Sequence, residues 1–335
     1  MGEIDPRGKW SVGKSVKILI IGSDNKWRME RSVERALRRA GHKTRLLDDR
    51  RTKRLIGRKL TQQWVLARAR QFKPDFIFLS KCLALSLDTV RKVIGDTPNA
   101  MWYHDPQWYR ATYRPDIKHI VEVGKLSQTF FVTGFDEEWR ALGLPAKFLP
   151  AAADRDIRPV PYQAKYHSDV SFIGTGYDPT RASFLLRVAK KYDLKVWGKG
   201  WHKWRDDLKW HGLPVEGEEF AAVCSSSSIS LGINPDRAKG GTNYTSDRTW
   251  MVILAGGFYL GHGTPGLTHL LREGDHCAWY QDVDSCMKKI GYYLENSAAR
   301  ERIRREGQVF VREHHTYDQR IHHLLTGDSY VNPLE

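Results

Sequence analysis

Apolar residues along this chain fall into short continuous runs separated by polar, glycine-bearing turns. Residues 16–22 (VKILIIG) form the first such run, the pattern of a strand buried on both faces. Gly22-Ser23-Asp24-Asn25 follows as a turn with helix-capping residues. Met29, Val33, Ala36, Leu37 and Ala40 then recur at helical spacing, and Gly41 closes the helix as a C′ glycine. After a helix ending near Gln71, the runs 74–80 (PDFIFLS), 99–103 (NAMWY) and 126–133 predict further strands, with a helix around 136–142 and an edge element near Phe148. Alternation of strands and helices predicts a parallel sheet in an α/β fold.

Residues 154–168 contain Pro159 and Pro161 without periodicity, and the pattern then restarts with 169–174 (DVSFIG). A helix from Thr180, strands at 194–198 and 229–233, a helix at 247–254 and a strand at 258–261 follow. Ser225 to Ser228 reads as a turn before a strand. The last helical region, 298–325, is apolar on one side through Ile303, Val309, Phe310, Ile321 and Leu324. A chain of 335 residues suits two α/β domains. The expected division is a domain at 1–155, a second at 168–315, and a closing helix and tail at 316–335.

Apolar residues make up 41% of the chain, and no stretch approaches the ~20 consecutive apolar residues of a membrane span. No apolar run precedes the first strand, so the expected location is cytoplasmic; Pro6 stands where a myristoylation signal needs Ser or Thr. Cys82, Cys224, Cys277 and Cys286 show no CxxC spacing and read as idle thiols, implying neither zinc nor disulfides. The net charge of +15 is concentrated: the first 70 residues hold 20 Lys/Arg against 7 Asp/Glu, and the remainder is nearly balanced. Arg28, Arg31, Arg35 and Arg38 share one helix face, with Glu34 placed to pair with Arg38, and Arg50, Arg51, Lys53, Arg54, Arg58 and Lys59 follow. A solvated face explains such a stripe, and so does a surface that contacts phosphates.

Gly174-Thr175-Gly176 lies between a predicted strand and a helix, where glycines permit close backbone approach and the helix N-terminus favours an anion. The motif lacks the third glycine of a dinucleotide fingerprint and the Lys of a P-loop. Asp178 and Pro179 read as cap and first-turn residues, and Arg181 comes early in the helix. Arg248 falls in the first turn of the 247–254 helix, where a cation opposes the helix dipole unless an anion binds.

Arg248 is followed by Gly256-Gly257 before a strand, by Gly261-His262-Gly263-Thr264-Pro265-Gly266-Leu267, by Glu273-Gly274-Asp275 and by a closing His315-Thr316-Tyr317-Asp318-Gln319-Arg320. This run resembles the CgeB-like (spore-maturation) glycosyltransferases of the GT-B fold. The resemblance reaches back to Phe172-Ile173-Gly174 with Arg181 and to Val196-Trp197-Gly198, and more loosely to Asp105-Pro106 and 149–154. It implies two Rossmann-like domains with a cleft between them, a C-terminal helix crossing back to the N-terminal domain, a nucleotide-sugar donor held by the C-terminal half and an acceptor on the N-terminal half. It further implies that Gly174, Thr175, Gly176 and Arg181 approach the diphosphate, that Arg248 neutralises it, that Trp197 and Gly198 border the base, and that Thr264, Pro265, Gly266 and Leu267 lie beside phosphate or sugar. The expected donor is a UDP-sugar, with no metal and no other cofactor. Related retaining enzymes carry a Glu pair seven residues apart where this chain has His262 and His269.

A general base is expected at the end of the 99–103 strand, where His104 and Asp105 emerge, with Asp24 after the first strand as the other candidate. A turn-forming Asp before Pro is the alternative reading of Asp105. Trp102, Trp108, Trp197, Trp201, Trp204 and Trp210, with Tyr103, Tyr109 and Tyr113, cluster near the proposed loops; most are expected to pack and a few to stack on ligands. Three functions follow. The first is a glycosyltransferase acting on an anionic polymer, foremost DNA with a hydroxymethylated base, gripped by Arg28, Arg31, Arg35, Arg38, Arg110 and Arg114. The second is a glycosyltransferase acting on protein, spore coat or surface polysaccharide, and the third a non-catalytic nucleotide- or nucleic-acid-binding protein.

Overall fold

The computed structural model describes residues 15–105, 116–134, 136–233 and 245–335. They divide into two compact units, one made of Met1–Pro150 with Tyr317–Val331, the other of Ala151–Thr316 with Asn332–Glu335. Arg110 and Arg114, with Trp108, Tyr109 and Tyr113, lie outside the described residues.

The first unit is a parallel sheet of β1 (Lys17–Ile21), β2 (Lys43–Leu47), β3 (Phe76–Leu79), β4 (Asn99–Tyr103), β5 (Thr129–Val132) and β6 (Ala146–Phe148), in the order β2-β1-β3-β4-β5-β6. Four of the five β1 residues and all of β3 and β4 are buried, which is why these strands read as unbroken apolar runs. Helices α1 (Met29–Arg39), α2 (Asp49–Phe72), α3 (Leu87–Ile94), α4 (Ile117–Lys125) and the short α5 (Glu137–Arg140) make the crossovers. Gly57, at φ 78° and ψ 167°, breaks the helical path inside α2. Strand β2 (KTRLL) has only Leu47 fully buried, so it lacks the apolar run by which the other strands are read.

The second unit repeats the design with β7 (Ser168–Ile173), β8 (Leu194–Trp197), β9 (Ser227–Gly232), β10 (Tyr259–His262) and β11 (Ala278–Tyr280), in the order β11-β10-β9-β7-β8. Helices α6 (Pro179–Ala189), α7 (Gly217–Ser226), α8 (Asp247–Leu254), α9 (Pro265–Thr268), α10 (Val283–Glu295) and α11 (Ser297–His314) connect and follow them. The serine run is a helix-to-strand junction: Ser226 ends α7 and Ser227 begins β9.

The predicted final helix is two helices. Helix α11 stops before His315, whose ring stacks on Trp250 at 4.1 Å between centroids and whose carbonyl accepts the amide of Ala153. Helix α12 (Tyr317–Thr326) belongs to the first unit, packed on α1 with Asp318 paired to Arg39 at 2.8 Å. Arg320, 1% exposed, donates to the Pro150 carbonyl and lies over the Tyr330 ring. Val309 is exposed, and the buried face of α11 runs through Ile303, Gly307 and Val311.

All four cysteines are free and buried, and burial pushes the Cys224 thiol up to about 12 and those of Cys82 and Cys277 well above the usual range. Burial lowers the imidazole pKa of His42, His211, His276 and His323. Each therefore favours the neutral form on folding, and its stabilising contribution is complete above the unfolded value of about 6.5. The melting temperature is expected to fall as pH drops from about 7.5 to about 5.5; a melting temperature that rises over that interval would contradict the assignment.

Candidate functional site

In both sheets the strand order reverses beside the first strand, and ligands of doubly wound sheets gather at the carboxyl ends of the strands flanking that point. In the second unit those strands are β7 and β9. Strand β7 delivers Gly174-Thr175-Gly176, and Asp178 caps α6 by accepting the Thr180 amide, with Pro179 in its first turn. Trp201, wholly buried, donates its indole N–H to the Gly174 carbonyl at 2.7 Å. A Cβ on Gly176 would lie 2.4 Å from that indole, so only glycine fits beside it.

Two arginines flank the Phe172 ring, Arg181 at 5.6 Å and Arg248 at 5.7 Å. They do different work. Arg181, 5% exposed, donates to the carbonyls of Thr175 (2.7 Å) and Ile233 (3.0 Å), tying the β7 loop to the end of β9. It therefore ties down the loop beside which the sequence placed a diphosphate. Arg248, half-buried at the start of α8, places Nη1 3.1 Å from where a Cβ on Gly174 would stand. Ser246 caps α8, and among the described residues no carboxylate pairs with the Arg248 guanidinium.

Trp197 is 3% exposed and packed against Tyr166 and His211, so its ring has no face left for a base and only the backbone at Gly198 stays near the loop. Leu267 is wholly buried in the core, which removes it from direct ligand contact. Pro265 is exposed and Gly266 half-exposed, and Thr264, buried, has an enclosed hydroxyl without a hydrogen-bond partner. His262 sits against Tyr280 and His269 bonds to Glu335 at 2.7 Å.

In the first unit the base candidates emerge from β1 and β4, on either side of β3. Asp105 is paired with Lys81 at 2.6 Å. Lys81 was not legible as a site residue, although its place directly after the 74–80 apolar run was the available signal. His104 is half-buried with its ring 4.6 Å from Trp102. Asp24 is paired with Arg31, and its amide donates to Asp48. Glu30, 8% exposed, accepts the Ser80 hydroxyl at 2.7 Å, a second buried polar pair at this edge that the sequence did not reveal.

The arginine stripe on α1 is largely engaged within the unit. Buried Glu34 pairs with both Arg31 and Arg38, and Arg35 donates to the Lys26 carbonyl and Ser32. Arg28 is exposed and pairs with no described carboxylate. Trp102 and Trp201 are core residues, and Trp210 donates to the Gly198 carbonyl, so these rings pack and pin loops. Asp154 is buried and accepts the Asp156 amide, a local turn. Among the described residues no three His, Cys, Asp or Glu side chains are grouped to hold a metal ion, and no helix is long and apolar enough to cross a membrane.

Residues 181–326 match the family model described as glycosyl transferase-like. No curated protein matches the chain in sequence. Among solved structures, Anabaena Alr3699/HepE in complex with UDP-glucose is 10% identical, with a TM-score of 0.62 over 92% of this chain and 98% of that one. The sucrose-phosphate synthase tll1590 from Thermosynechococcus elongatus is 12% identical, with a TM-score of 0.66 over 91% and 97%. An alpha-glucosyltransferase in complex with UDP and a 13-mer DNA containing a HMU base is 11% identical, with a TM-score of 0.64 over 94% and 100%. These likenesses show the fold, two Rossmann-like units matching GT-B glycosyltransferase structures. The family match is to a glycosyl transferase-like description and does not single out the CgeB-like group.

Proposed function

We propose that the chain is a glycosyltransferase taking sugar from a UDP-sugar bound at the carboxyl edge of the second sheet, within the CgeB-like group that its 245–320 motifs resemble. The observation that carries this reading is Arg248, a guanidinium without a carboxylate partner among the described residues, held against Gly174 at the β7/β9 switch point. A cation at a helix N-terminus is unfavourable by itself and favourable once a diphosphate arrives. As the bond from the sugar to the diphosphate breaks, negative charge grows on the departing oxygen; Arg248 and the Thr175 amide stabilise it without a metal ion, the Gly174 and Gly176 amides being bonded to the carbonyls of Trp197 and Lys199. Arg181 holds that loop in shape, Gly198 borders the base, and Thr264, Pro265 and Gly266 lie towards the sugar. Asp105 serves as the base that receives the acceptor proton, oriented by Lys81, with His104 and Asp24 as the other groups able to do so.

For the acceptor we favour a hydroxyl on DNA with a hydroxymethylated base, held through the basic first unit. The support is the run of cations from Arg50 to Lys59, exposed and without described carboxylate partners, together with a structural neighbour whose complex contains DNA with a HMU base. The reading predicts that UDP and UDP-sugars, in chelator, raise the melting temperature, whereas other nucleoside diphosphates do so weakly. Saturation at about 100 Kd corresponds to about 2.7 kcal/mol. No response to any nucleotide would refute the donor site. Label transferred from UDP-glucose to hydroxymethylated DNA but not to unmodified DNA supports the acceptor; label found only on protein or polysaccharide overturns it.

A further inference from the structure

A cavity of about 530 Å³ opens beside β2, the outer strand of the first sheet, against α2. Three of its lining side chains are Arg45, Arg51 and Arg68. Arg45 is half-buried over the Phe72 ring at 4.9 Å, and its Nη1 is enclosed without a hydrogen-bond partner. Arg51 stands in the first turn of α2, where its charge opposes the helix dipole, and Arg68 lies over the Trp64 ring at 5.9 Å, donating to Gln71. The two carboxylates on the wall are already engaged. Asp48 accepts the amides of Arg51 (2.7 Å) and Asp24 (2.9 Å), and Asp24 is paired with Arg31. Three guanidiniums therefore line one cavity, and among the described residues no carboxylate is paired to any of them.

Like charges gathered on one wall repel, although Arg51 and Arg68 are exposed to solvent, and the enclosed Arg45 N–H without an acceptor is unfavourable. Both are relieved when a phosphate enters, because guanidinium forks match its oxygens. Trp64, with exposed Leu55 at the rim, adds an apolar wall for whatever carries that anion.

We infer that this cavity is a phosphate subsite of the first unit, separate from the donor site on the second. It rests on the anionic-acceptor reading, in which it seats a backbone phosphate of the DNA; the same chemistry also suits a free sugar phosphate.

The test is fluorescence anisotropy of the full-length protein with a labelled duplex of about twenty base pairs, between about 50 and 200 mM salt. The triple variant R45Q/R51Q/R68Q is compared with R91Q/K92Q/K118Q, which removes equal charge from exposed positions of α3 and α4. The first variant is expected to bind at least about 10-fold more weakly and to lower the salt slope by about 2–3, well beyond the second. Because Arg45 is half-buried, R51Q/R68Q is measured alongside, and far-UV circular dichroism with an unliganded melting curve like that of wild type shows that each variant is folded. Arginine-dependent calorimetric binding of inorganic phosphate or ribose 5-phosphate, without arginine-dependent duplex binding, upholds the subsite and assigns it to small phosphorylated ligands. A duplex affinity and slope equal in both triple variants, with no arginine-dependent binding of the small phosphates, overturns the subsite while leaving the transferase reading intact. Absence of both UDP and duplex binding by wild type defeats that reading instead.

Discussion

Arg248→Ala is expected to lower turnover of the UDP-sugar by about 100- to 1,000-fold while leaving the melting temperature of the unliganded protein nearly unchanged. The two effects separate because Arg248 contributes little to the unliganded fold. It pairs with no described carboxylate, and its charge sits at the wrong end of α8. What alanine removes is chiefly the packing of the guanidinium over the Phe172 ring. On the proposed function the same guanidinium meets the diphosphate when donor is bound, most strongly as the leaving oxygen gains charge. The variant should therefore also lose the melting shift produced by UDP. Arg248→Lys should recover only part of either, since an ammonium is a point charge without the bidentate fork. Steady-state kinetics with labelled UDP-glucose, with melting curves on the same preparations, check this. An alanine variant that turns over and responds to UDP like wild type would place the diphosphate elsewhere.

Much of the fold is legible because its strands are buried on both faces. Residues 16–22, 74–80 and 99–103 contain the observed β1, β3 and β4 with few residues to spare, and the 247–254 helix is found at those bounds. What escapes does so for physical reasons. Strand β2 is an edge strand with Lys43, Thr44 and Arg45 only partly covered, so nothing in KTRLL announces it. Strand β11 is three residues long, too short for any period to emerge. The break between α11 and α12 depends on the Trp250–His315 stack and the Ala153 amide, contacts made over long sequence separations.

The candidate site divides along the same line. Arg248 is legible because a misplaced charge is a local fact of sequence. The duties of Arg181 and Trp197 are tertiary facts: one guanidinium is spent on the carbonyls of Thr175 and Ile233, and one indole is enclosed by Tyr166 and His211. The arginine stripe on α1 shows the same limit. Helical spacing foresees the Glu34–Arg38 pair, but that Glu34 is buried and also takes Arg31 depends on packing. Besides Arg28 at the start of α1, arginines that pair with no described carboxylate stand on β2 and α2.

Gly198→Ala is expected to cost about 3 kcal/mol or more of stability and to weaken UDP binding in the same stroke. The residue adopts φ +138°, and a Cβ there would stand 1.9 Å from the Gly174 carbonyl oxygen. That oxygen cannot retreat freely, because it accepts the Trp201 indole N–H at 2.7 Å while the Gly174 amide donates to the Trp197 carbonyl. Relief of the clash must therefore displace either the loop that faces the diphosphate or the indole beneath it. Gly212→Ala separates close approach from backbone strain: Gly212 has φ +105° and nothing within 4 Å of the added carbon, and its carbonyl accepts the Gly198 amide. It should cost only about 1–2 kcal/mol, the penalty of an L-residue at positive φ, and leave UDP affinity unchanged. Denaturant midpoints for the two variants, with calorimetric titration of UDP, make the comparison. If Gly198→Ala binds UDP as wild type does, the Gly174 loop is not held in place by this contact, and its shape comes from the hydrogen bonds of Arg181, Trp201 and the backbone of β8.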